Sequence, residues 1–467
     1  MTTKNIIIIG GGITGLTAAY YLQKDIAERD LPFEVKLLEA SNRLGGKINT
    51  KRMNGFIIER GPDSFLARKQ PAVKLANDLG LSDQLIRNRT GQAYIFARGA
   101  LHEIPQGSHM GIPTQIRPFL ESALLSTRGK LRAGLDYILP RGKEVGDQSL
   151  GKFLRRRLGD ELVENSIEPL LSGIYSGDLD QMSLMATFPH FLELEQRYRS
   201  LIKGLQQTMS EQKTTSQNKR GKFFSFKNGL ETIVAAIIKQ TGNELFHINT
   251  KVEKIVKTHS RYRIYTNRDA CYEADAIIVA VPHHVLPHLF QAYDFFQPLT
   301  HVPLTSVANI ALAFDQSQIK NDIHGTGFVV SRNSSNRITA CTWTHKKWQH
   351  TAPDGKALLR AYVGQPSDQA IVRLSDTDMT NIVLRDLTPI MNIVGDPEFA
   401  VVTRWEKAMP QYTVGHKARI RQIKEKMEKS LPGVFLAGSS YGGVGIPDCI
   451  AQGEQAKRQA FLYLQKQ

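Results

Sequence analysis

A glycine-rich turn between an apolar strand and an amphipathic helix constrains this chain more than any other feature. Gly10, Gly12 and Gly15 have the spacing Gly-x-Gly-x-x-Gly. Four isoleucines at 6–9 predict a buried strand before the turn, and apolar residues at near-helical spacing over 16–29 predict a helix after it. In this context the first glycine permits the turn, the second admits a dinucleotide pyrophosphate, and the third lets the helix pack on the strand.

A second strand, predicted over residues 33–38, completes a βαβ unit and ends at an acid. Glu39 lies 24 residues after Gly15, where such units place the carboxylate that accepts hydrogen bonds from ribose hydroxyls. The predicted cofactor-binding residues of this unit are Gly10, Gly11, Gly12, Ile13, Thr14, Gly15, Glu39 and Ala40.

Three further glycine turns favour a cofactor longer than NAD. Arg43-Leu44-Gly45-Gly46-Lys47 adds two cations and backbone donors, which FAD needs for its pyrophosphate and ribityl chain. Gly61-Pro62-Asp63-Ser64 is predicted to lie along the flavin. Gly438 ends a late strand, and Gly442-Gly443-Val444-Gly445-Ile446-Pro447 opens a helix whose N-terminus is predicted to face the flavin ring. The sequence therefore predicts an FAD site built from both chain ends.

The net charge of +16 is unevenly distributed along the 467 residues. Residues 98–157 hold eleven Lys/Arg against five Asp/Glu, residues 197–227 hold eight against one, and residues 158–195 hold eight acids without Lys or Arg. Neither basic run has the interleaved aromatics or the motifs of a nucleic-acid-binding protein. An anionic substrate, an anionic membrane surface or simple solubility remain open as explanations.

The cysteines and the apolar runs indicate the environment of the protein. Cys271, Cys341 and Cys449 include no CxxC pair, which disfavours a disulfide framework and a metal site and favours a reducing compartment. No apolar run approaches the roughly 18–20 residues of a membrane span. We expect a cytoplasmic protein.

Outside these motifs, the sequence predicts a helical part and a strand-rich part of the chain. Residues 71–200 read mostly as helices, and the polar stretch 204–221 predicts a mobile loop. Alternating segments between 250 and 363 predict strands of a mixed or antiparallel sheet. The fold class is therefore α/β with α+β: a Rossmann-like nucleotide-binding domain, a mixed-sheet domain and a helical insert.

Together these motifs resemble the flavin-containing amine oxidase superfamily. Within it the chain is most similar to the bacterial coproporphyrinogen and protoporphyrinogen oxidases of haem synthesis, with a likeness that runs nearly end to end. The more specific stretches are 168–178, with sequence EPLLSGIYSGD, and the C-terminal Gly-Ile-Pro-Asp. The likeness also includes residues 339–343, with sequence TACTW, and Arg404-Trp405 together with residues 409–412, with sequence MPQY.

The resemblance implies an architecture and a set of flavin contacts. The FAD domain comprises 1–70, 222–282 and 400–467, the helical domain 71–221, and the substrate domain 283–399. Beyond the first βαβ unit, the implied FAD contacts are Arg43, Gly46, Lys47, Gly61, Pro62, Asp63, Ser64, Val252, Trp405, Gly438, Val444, Gly445 and Ile446. The C-terminal glycine turn lacks the cysteine of covalent-flavin members, so the FAD is expected to be non-covalent.

The resemblance also implies an activity. A porphyrinogen loses six hydrogens in three two-electron rounds, and O2 leaves as hydrogen peroxide. Lys69 is the implied catalytic residue, which pairs a substrate carboxylate or assists at the flavin, with an exposed surface lysine as the alternative. Ile174 and Tyr175 are candidate pocket residues, and so is Tyr362. Four propionates and clustered cations favour coproporphyrinogen over protoporphyrinogen, which has two.

Other functions and partners remain open. A protoporphyrinogen IX oxidase, a flavin amine oxidase or a desaturase would use the same scaffold, and a basic FAD-binding or nucleic-acid-binding protein without turnover is a third class. The implied partners are an anionic tetrapyrrole, O2 and other haem-pathway enzymes. Membrane-bound members present an apolar helical surface, whereas residues 98–157 are basic, so we expect at most peripheral contact with anionic lipid.

Overall fold

The computed structural model describes residues 3–143, 146–213 and 221–466. The strands of these residues are β1 (Lys4–Ile9), β2 (Phe33–Leu38), β3 (Thr50–Met53), β4 (Phe56–Glu59), β5 (Phe65–Leu66), β6 (Leu85–Arg87), β7 (Tyr94–Ala97), β8 (Ala100–Glu103), β9 (Phe223–Phe226), β10 (Phe246–His247), β11 (Val252–Lys257), β12 (Tyr262–Thr266), β13 (Cys271–Ala274), β14 (Ala276–Val279), β15 (Leu304–Asp315), β16 (Gly327–Val330), β17 (Ile338–Trp343), β18 (Lys356–Val363), β19 (Phe399–Pro410) and β20 (Val434–Leu436).

The α-helices of the same residues include many that follow one another between β8 and β9. They are α1 (Ile13–Arg29), α2 (Gln70–Asp78), α3 (Ile116–Glu121), α4 (Thr127–Gly134), α5 (Leu150–Leu158), α6 (Asp160–Leu162), α7 (Glu168–Tyr175), α8 (Leu184–Thr187), α9 (Pro189–Tyr198), α10 (Leu201–Lys213), α11 (Glu231–Thr241), α12 (Leu286–Leu289), α13 (Thr344–Lys347), α14 (Asp376–Met391), α15 (His416–Ser430) and α16 (Ile446–Leu464).

A parallel sheet in the order β10-β2-β1-β14-β20 forms the first layer. Its central strand β1 pairs in parallel with β2 and with β14. The isoleucines at 6–9 are buried, as expected for a strand covered on both faces. Helices α1 and α16 pack on this sheet through a core that includes Leu16, Leu22 and Ile450. The predicted βαβ unit is confirmed, and β2 has the predicted bounds.

A larger mixed sheet forms the second layer, in the order β19-β15-β18-β17-β16-β7-β8. Only β16 and β7 pair in parallel among its described strands. Helix α14 packs on it through Met379, Val383 and Leu387. The predicted mixed sheet is confirmed.

Two predicted boundaries differ from the strand pairing of the structure, and the rest of the domain division stays a prediction. Strands β7 and β8, from the predicted helical domain 71–221, extend the mixed sheet instead. Strand β19, assigned in the prediction to the FAD segment from residue 400, pairs with β15. Such pairings join strands remote in sequence, so local periodicity does not reveal them.

The predicted mobile loop 204–221 is wrong up to Lys213. Helix α10 runs to that residue because Leu201, Ile202 and Leu205 form a buried face in the core of the helical layer. Residues 214–220 of the prediction lie outside the described residues.

The basic run at 155–157 is neutralised by Asp136 and by acids of the segment that follows it. Arg157 is fully buried and donates through Nε to Asp136 at 2.6 Å. Arg156 donates to Glu195, and Arg155 to Glu164 at 2.8 Å. These three cations serve the helical core and are not free to bind an anionic partner.

Within the described residues, no helix is both long enough and apolar enough to cross a bilayer.

Candidate functional site

A cavity of about 1000 Å³ lies between the parallel sheet, the mixed sheet and the helical layer. One part of its wall consists of the glycine turns at the two chain ends. Another part consists of α7 and of the mixed-sheet strands β15, β17 and β18. The predicted site residues that line it are Gly10, Gly12, Ile13, Thr14, Glu39, Ala40, Gly46, Lys47, Gly61, Pro62, Asp63, Ser64, Ile174, Val252, Tyr362, Trp405, Gly438, Val444, Gly445 and Ile446.

The first glycine turn has the geometry of a phosphate cradle. A Cβ on Gly10, at φ +105°, would come within 2.7 Å of Ala280 O, and a Cβ on Gly15 within 2.0 Å of Gly10 O. A Cβ on Gly12 would meet nothing within 4 Å and would project into the cavity. Among the described residues, no side chain caps the N-terminus of α1, so its first N–H groups are available to an anion.

Glu39 stands at the carboxyl end of β2 and braces this turn. Its Oε2 accepts a hydrogen bond from Gly11 N at 2.6 Å, and its Oε1 accepts one from Ser41 N at 2.8 Å. Gly11 and Gly15 therefore shape the turn from behind the cavity wall. The remaining lone pairs of the Glu39 carboxylate suit ribose hydroxyls.

The second glycine turn separates the roles of its two cations. Arg43 lies outside the cavity wall and donates to the carbonyls of Leu44 and Ile48, each at 3.1 Å, which closes the turn. Lys47 lines the cavity and donates to Ala408 O. Burial lowers the pKa of Lys47. Only Lys47 of this pair is placed to face a cofactor.

The third glycine turn is held against the mixed sheet by three donors. Trp405 Nε1 donates to Arg60 O at 2.8 Å, Asn309 Nδ2 donates to the same carbonyl, and Arg360 Nη2 donates to Gly61 O at 2.8 Å. The polar residues of this turn thus belong to the cavity wall and not to solvent.

Asp63 in this turn is buried between two cations. Its carboxylate accepts from Lys347 Nζ at 2.8 Å, and Arg360 Nη1 lies 3.8 Å away. Burial alone would raise the pKa of Asp63, but Lys347 and Arg360 outweigh it and hold that pKa below its usual range. Asp63 is therefore ionised, and its charge is shared.

The C-terminal turn presents a second free helix N-terminus. Gly445 precedes α16, and within the described part of the chain no side chain caps it. Cys449, one turn into α16, also lines the cavity. Burial raises the pKa of its thiol to about 11, which keeps it protonated and unreactive.

Lys69 and Tyr175 lie outside the cavity wall, although the structure describes both residues. Lys69 Nζ pairs with the carboxylate of Asp448 at 2.6 and 2.7 Å, beside the N-terminus of α16. Tyr175 packs its ring against Tyr412, with ring centroids 6.1 Å apart. The structure therefore does not bring these two residues into the wall, and their roles stay predictions, whereas Ile174 and Tyr362 line the cavity.

Sequence reasoning missed several charged or amide residues of the wall, among them Asn309, Arg360, Glu168 and Arg332. Glu168 is buried at the start of α7, and Arg332 Nη1 lies 2.9 Å from its Oε1. Burial raises the pKa of Glu168. A polar residue inside a predicted buried strand was an available signal for Asn309 and Arg360.

The two basic runs do not supply the cavity with cations. No Lys or Arg among the described residues of 98–157 and 197–227 lines the wall. Of the explanations left open for these runs, an anionic substrate in this cavity is not supported, because the cations of the wall come from other segments.

The wall fits FAD on observations of this chain. Gly12 leaves a cradle that a Cβ would fill, two helix N-termini are free, and Glu39 is placed for a ribose. Within the described residues, no group of three His, Cys, Asp or Glu could hold a metal ion. The arrangement can hold a dinucleotide and a second, larger molecule in one cavity.

Comparison with known proteins agrees with this site. The family model for flavin containing amine oxidoreductase matches residues 13–459. Coproporphyrinogen III oxidase of Bacillus subtilis (strain 168) is 51% identical over 99% of this chain and 98% of its own, and that of Staphylococcus aureus is 44% identical over 99% and 100%. A crystal structure described as a protoporphyrinogen oxidase from Exiguobacterium sp. 255-15 has a TM-score of 0.88 to this chain, with 38% sequence identity and 100% of both chains covered. The chain therefore belongs to the flavin containing amine oxidoreductase family.

Proposed function

We propose that this protein oxidises coproporphyrinogen III to coproporphyrin III, with FAD as cofactor and O2 as electron acceptor. The observation that carries the proposal is that one cavity is lined both by the dinucleotide cradle and by residues of α7 and the mixed sheet. The two relatives above 40% identity that are named coproporphyrinogen III oxidase support the choice of substrate.

The chain's own work is to bind, orient and enclose. FAD, when bound, supplies a two-electron acceptor that O2 restores. Gly12 and Lys47 receive the phosphate-bearing half, and Glu39 receives the ribose. Ile174 and Tyr362 enclose the porphyrinogen. Pyrrole nitrogens stabilise positive charge on the substrate, so removal of its hydrogens needs no strong base from the protein.

The FAD is held without a covalent bond in this proposal. Cys449 is the cysteine nearest to the C-terminal turn, and its protonated thiol is a poor nucleophile. Acid precipitation of the yellow protein should leave a colourless pellet and release all flavin to the supernatant. Flavin that stays with the chain would contradict this part of the proposal.

The activity is tested by supplying coproporphyrinogen III and protoporphyrinogen IX separately in air. We expect the first to give porphyrin fluorescence faster, with three molecules of hydrogen peroxide for each porphyrin formed. Oxidation of an amine but of neither porphyrinogen would refute the proposal. A faster reaction with protoporphyrinogen would move the assignment to that substrate.

We also propose that the protein docks on an anionic membrane surface. Six large apolar side chains are between 39% and 69% exposed within 116–138, and we name them the 116–138 patch: Ile116, Leu120, Leu131, Leu135, Tyr137 and Ile138. The expectation that this region lacks an apolar surface is therefore wrong.

Two contacts join parts of the 116–138 patch, and exposed basic residues neighbour it in sequence. Lys130 Nζ donates to Leu120 O at 2.6 Å, and Gln206 Nε2 donates both to Tyr137 Oη and to Thr114 O, just before α3. The exposed cations are Arg128, Arg141, Lys143 and Arg117, of which Arg117 pairs with Glu121 at 2.9 Å. Apolar side chains flanked by cations suit the interface of an anionic bilayer.

Vesicle sedimentation tests this location. The holoenzyme should sediment with vesicles that contain phosphatidylglycerol and remain in solution with pure phosphatidylcholine. The double variant Leu131→Ser/Ile138→Ser should lose this binding, whereas Val394→Ser, which changes an apolar residue of similar exposure elsewhere, should retain it. Equal sedimentation of all three proteins would contradict the proposal.

A further inference from the structure

A buried guanidinium in the cavity wall lacks partners for part of its hydrogen-bonding capacity. Arg360 on β18 is only 1% exposed and lines the cavity. Its Nη2 donates to Gly61 O at 2.8 Å, but within the described part of the chain Nε and Nη1 have no hydrogen-bond acceptor. A guanidinium has five N–H donors, and leaving them unsatisfied in a buried site is costly.

The nearest carboxylates do not satisfy these donors. Asp63 Oδ2 lies 3.8 Å from Nη1, beyond hydrogen-bond distance, and already accepts from Lys347 and from Trp348 Nε1 at 3.3 Å. Glu59 accepts from Leu230 N and Thr50, and burial raises its pKa to about 7. Two cations, Arg360 and Lys347, therefore share one fully ionised carboxylate at neutral pH.

The same sheet face carries complementary groups. Tyr362 lies two residues along β18, so its side chain shares the face of Arg360. Asn309 on β15 is the register partner of Tyr362, and its Oδ1 also lacks a hydrogen-bond partner among the described residues. All three residues line the cavity. This face offers an anion two donors at Arg360 and offers an N–H group an acceptor at Asn309.

We propose that Arg360 binds one propionate carboxylate of the porphyrinogen and thereby fixes the orientation of the macrocycle in the cavity. This inference rests on the proposed function, which supplies a substrate with four carboxylates. A charge-assisted hydrogen bond in a buried site is strong enough to select an acid over its neutral ester. The free N–H groups of Arg360 are thus a specificity determinant of the reaction.

The test compares a porphyrin acid with its ester. Coproporphyrin III and its tetramethyl ester are titrated into oxidised, FAD-loaded enzyme, and quenching of porphyrin fluorescence gives each Kd. Wild type should prefer the acid. Arg360→Met should weaken acid binding about 10- to 100-fold and leave ester binding unchanged. Arg337→Met is the matched control, because Arg337 is held by Asp368 at 2.9 Å outside the cavity wall, and it should retain the preference.

Different results of this titration would contradict either the role of Arg360 or the proposed function. Equal weakening of acid and ester would show that Arg360 only supports the Gly61 turn. Loss of FAD with an unchanged acid preference would assign the guanidinium to the cofactor. Both results would overturn the inference while wild type still oxidises coproporphyrinogen, whereas a wild type that does not oxidise it refutes the proposed function itself. Arg360→Lys, which keeps the charge, carries the same comparison where the Met variant does not fold.

Discussion

Replacing Gly12 by alanine tests whether the first glycine turn is a cradle for a ligand. The residue has φ −72°, which alanine adopts without strain, and its added Cβ would meet no protein atom within 4 Å. We therefore expect the apoprotein of Gly12→Ala to unfold at the wild-type temperature. The methyl group would instead occupy space in the cavity that the pyrophosphate needs.

The expected loss of FAD affinity follows from the hydrogen bonds that this methyl group displaces. A hydrogen bond to a charged group contributes about 1.5–3 kcal/mol, so losing one weakens binding roughly 10- to 150-fold. Titration of apoprotein with FAD, followed by quenching of flavin fluorescence, measures this change directly.

Gly15→Ala is the matched control for this substitution. Its Cβ would stand 2.0 Å from Gly10 O, so this variant should lose stability as apoprotein before any cofactor is added. Wild-type FAD affinity in Gly12→Ala would refute the reasoning, and so would an unfolded Gly12→Ala apoprotein.

Three further substitutions probe other parts of the structure. Asp136→Asn removes the closer of two buried carboxylates from the fully buried Arg157 and leaves it Glu195 Oε1 at 3.4 Å, so calorimetry should show a loss of up to about 3–5 kcal/mol of stability with FAD affinity unchanged; a loss below about 1 kcal/mol would contradict the burial argument. Lys69→Ala should keep the flavin absorbance and reduce turnover of coproporphyrinogen; unchanged kinetics would leave Lys69 only as the partner of Asp448. Burial raises the pKa of Glu59 to about 7, so the folded state binds this proton more tightly than the unfolded state and stability falls as pH rises from about 4.5 to 7. In Glu59→Gln this fall in the free energy of unfolding should be smaller by roughly 3 kcal/mol, measured by denaturant titration across the same pH range. An equal fall in wild type and in Glu59→Gln would refute the assignment.

The parts of the fold that depend on local pattern could be predicted. The strand and helix around Gly10 and Gly15 follow from isoleucines, glycine spacing and helical periodicity, and the bounds of β2 agree to the residue. Strands β7 and β8 pair with each other but could not be assigned to the mixed sheet, because β16, which joins β7 to that sheet, lies more than 200 residues away in sequence. In α10, the Gln- and Lys-rich composition concealed a narrow apolar face.

The residues of the candidate site also divide into those that local motifs predict and those that only the tertiary fold brings together. Residues in contiguous motifs, such as Gly12 and Glu39, line the cavity, as the geometry of the predicted βαβ unit requires. Arg360 and Asn309 become neighbours of the Gly61 turn only through strand pairing between β15 and β18. Lys69 was singled out for its type and position, but the sequence could not show that Asp448, 379 residues later, holds its ammonium.

The strand order of the parallel sheet also constrains how the chain is made. Strand β1 lies between β2 and β14, and β14 in turn pairs with β20, which begins at Val434. At about 5–20 residues per second, a ribosome needs on the order of 20–80 s to pass from the end of β2 to the start of β20. During the first part of that interval, until β14 has been made, the isoleucine strand lacks its partner on one side and leaves an apolar strand edge unpaired. The cofactor can therefore bind only after nearly the whole chain has been synthesised, which makes FAD capture a late step of biogenesis.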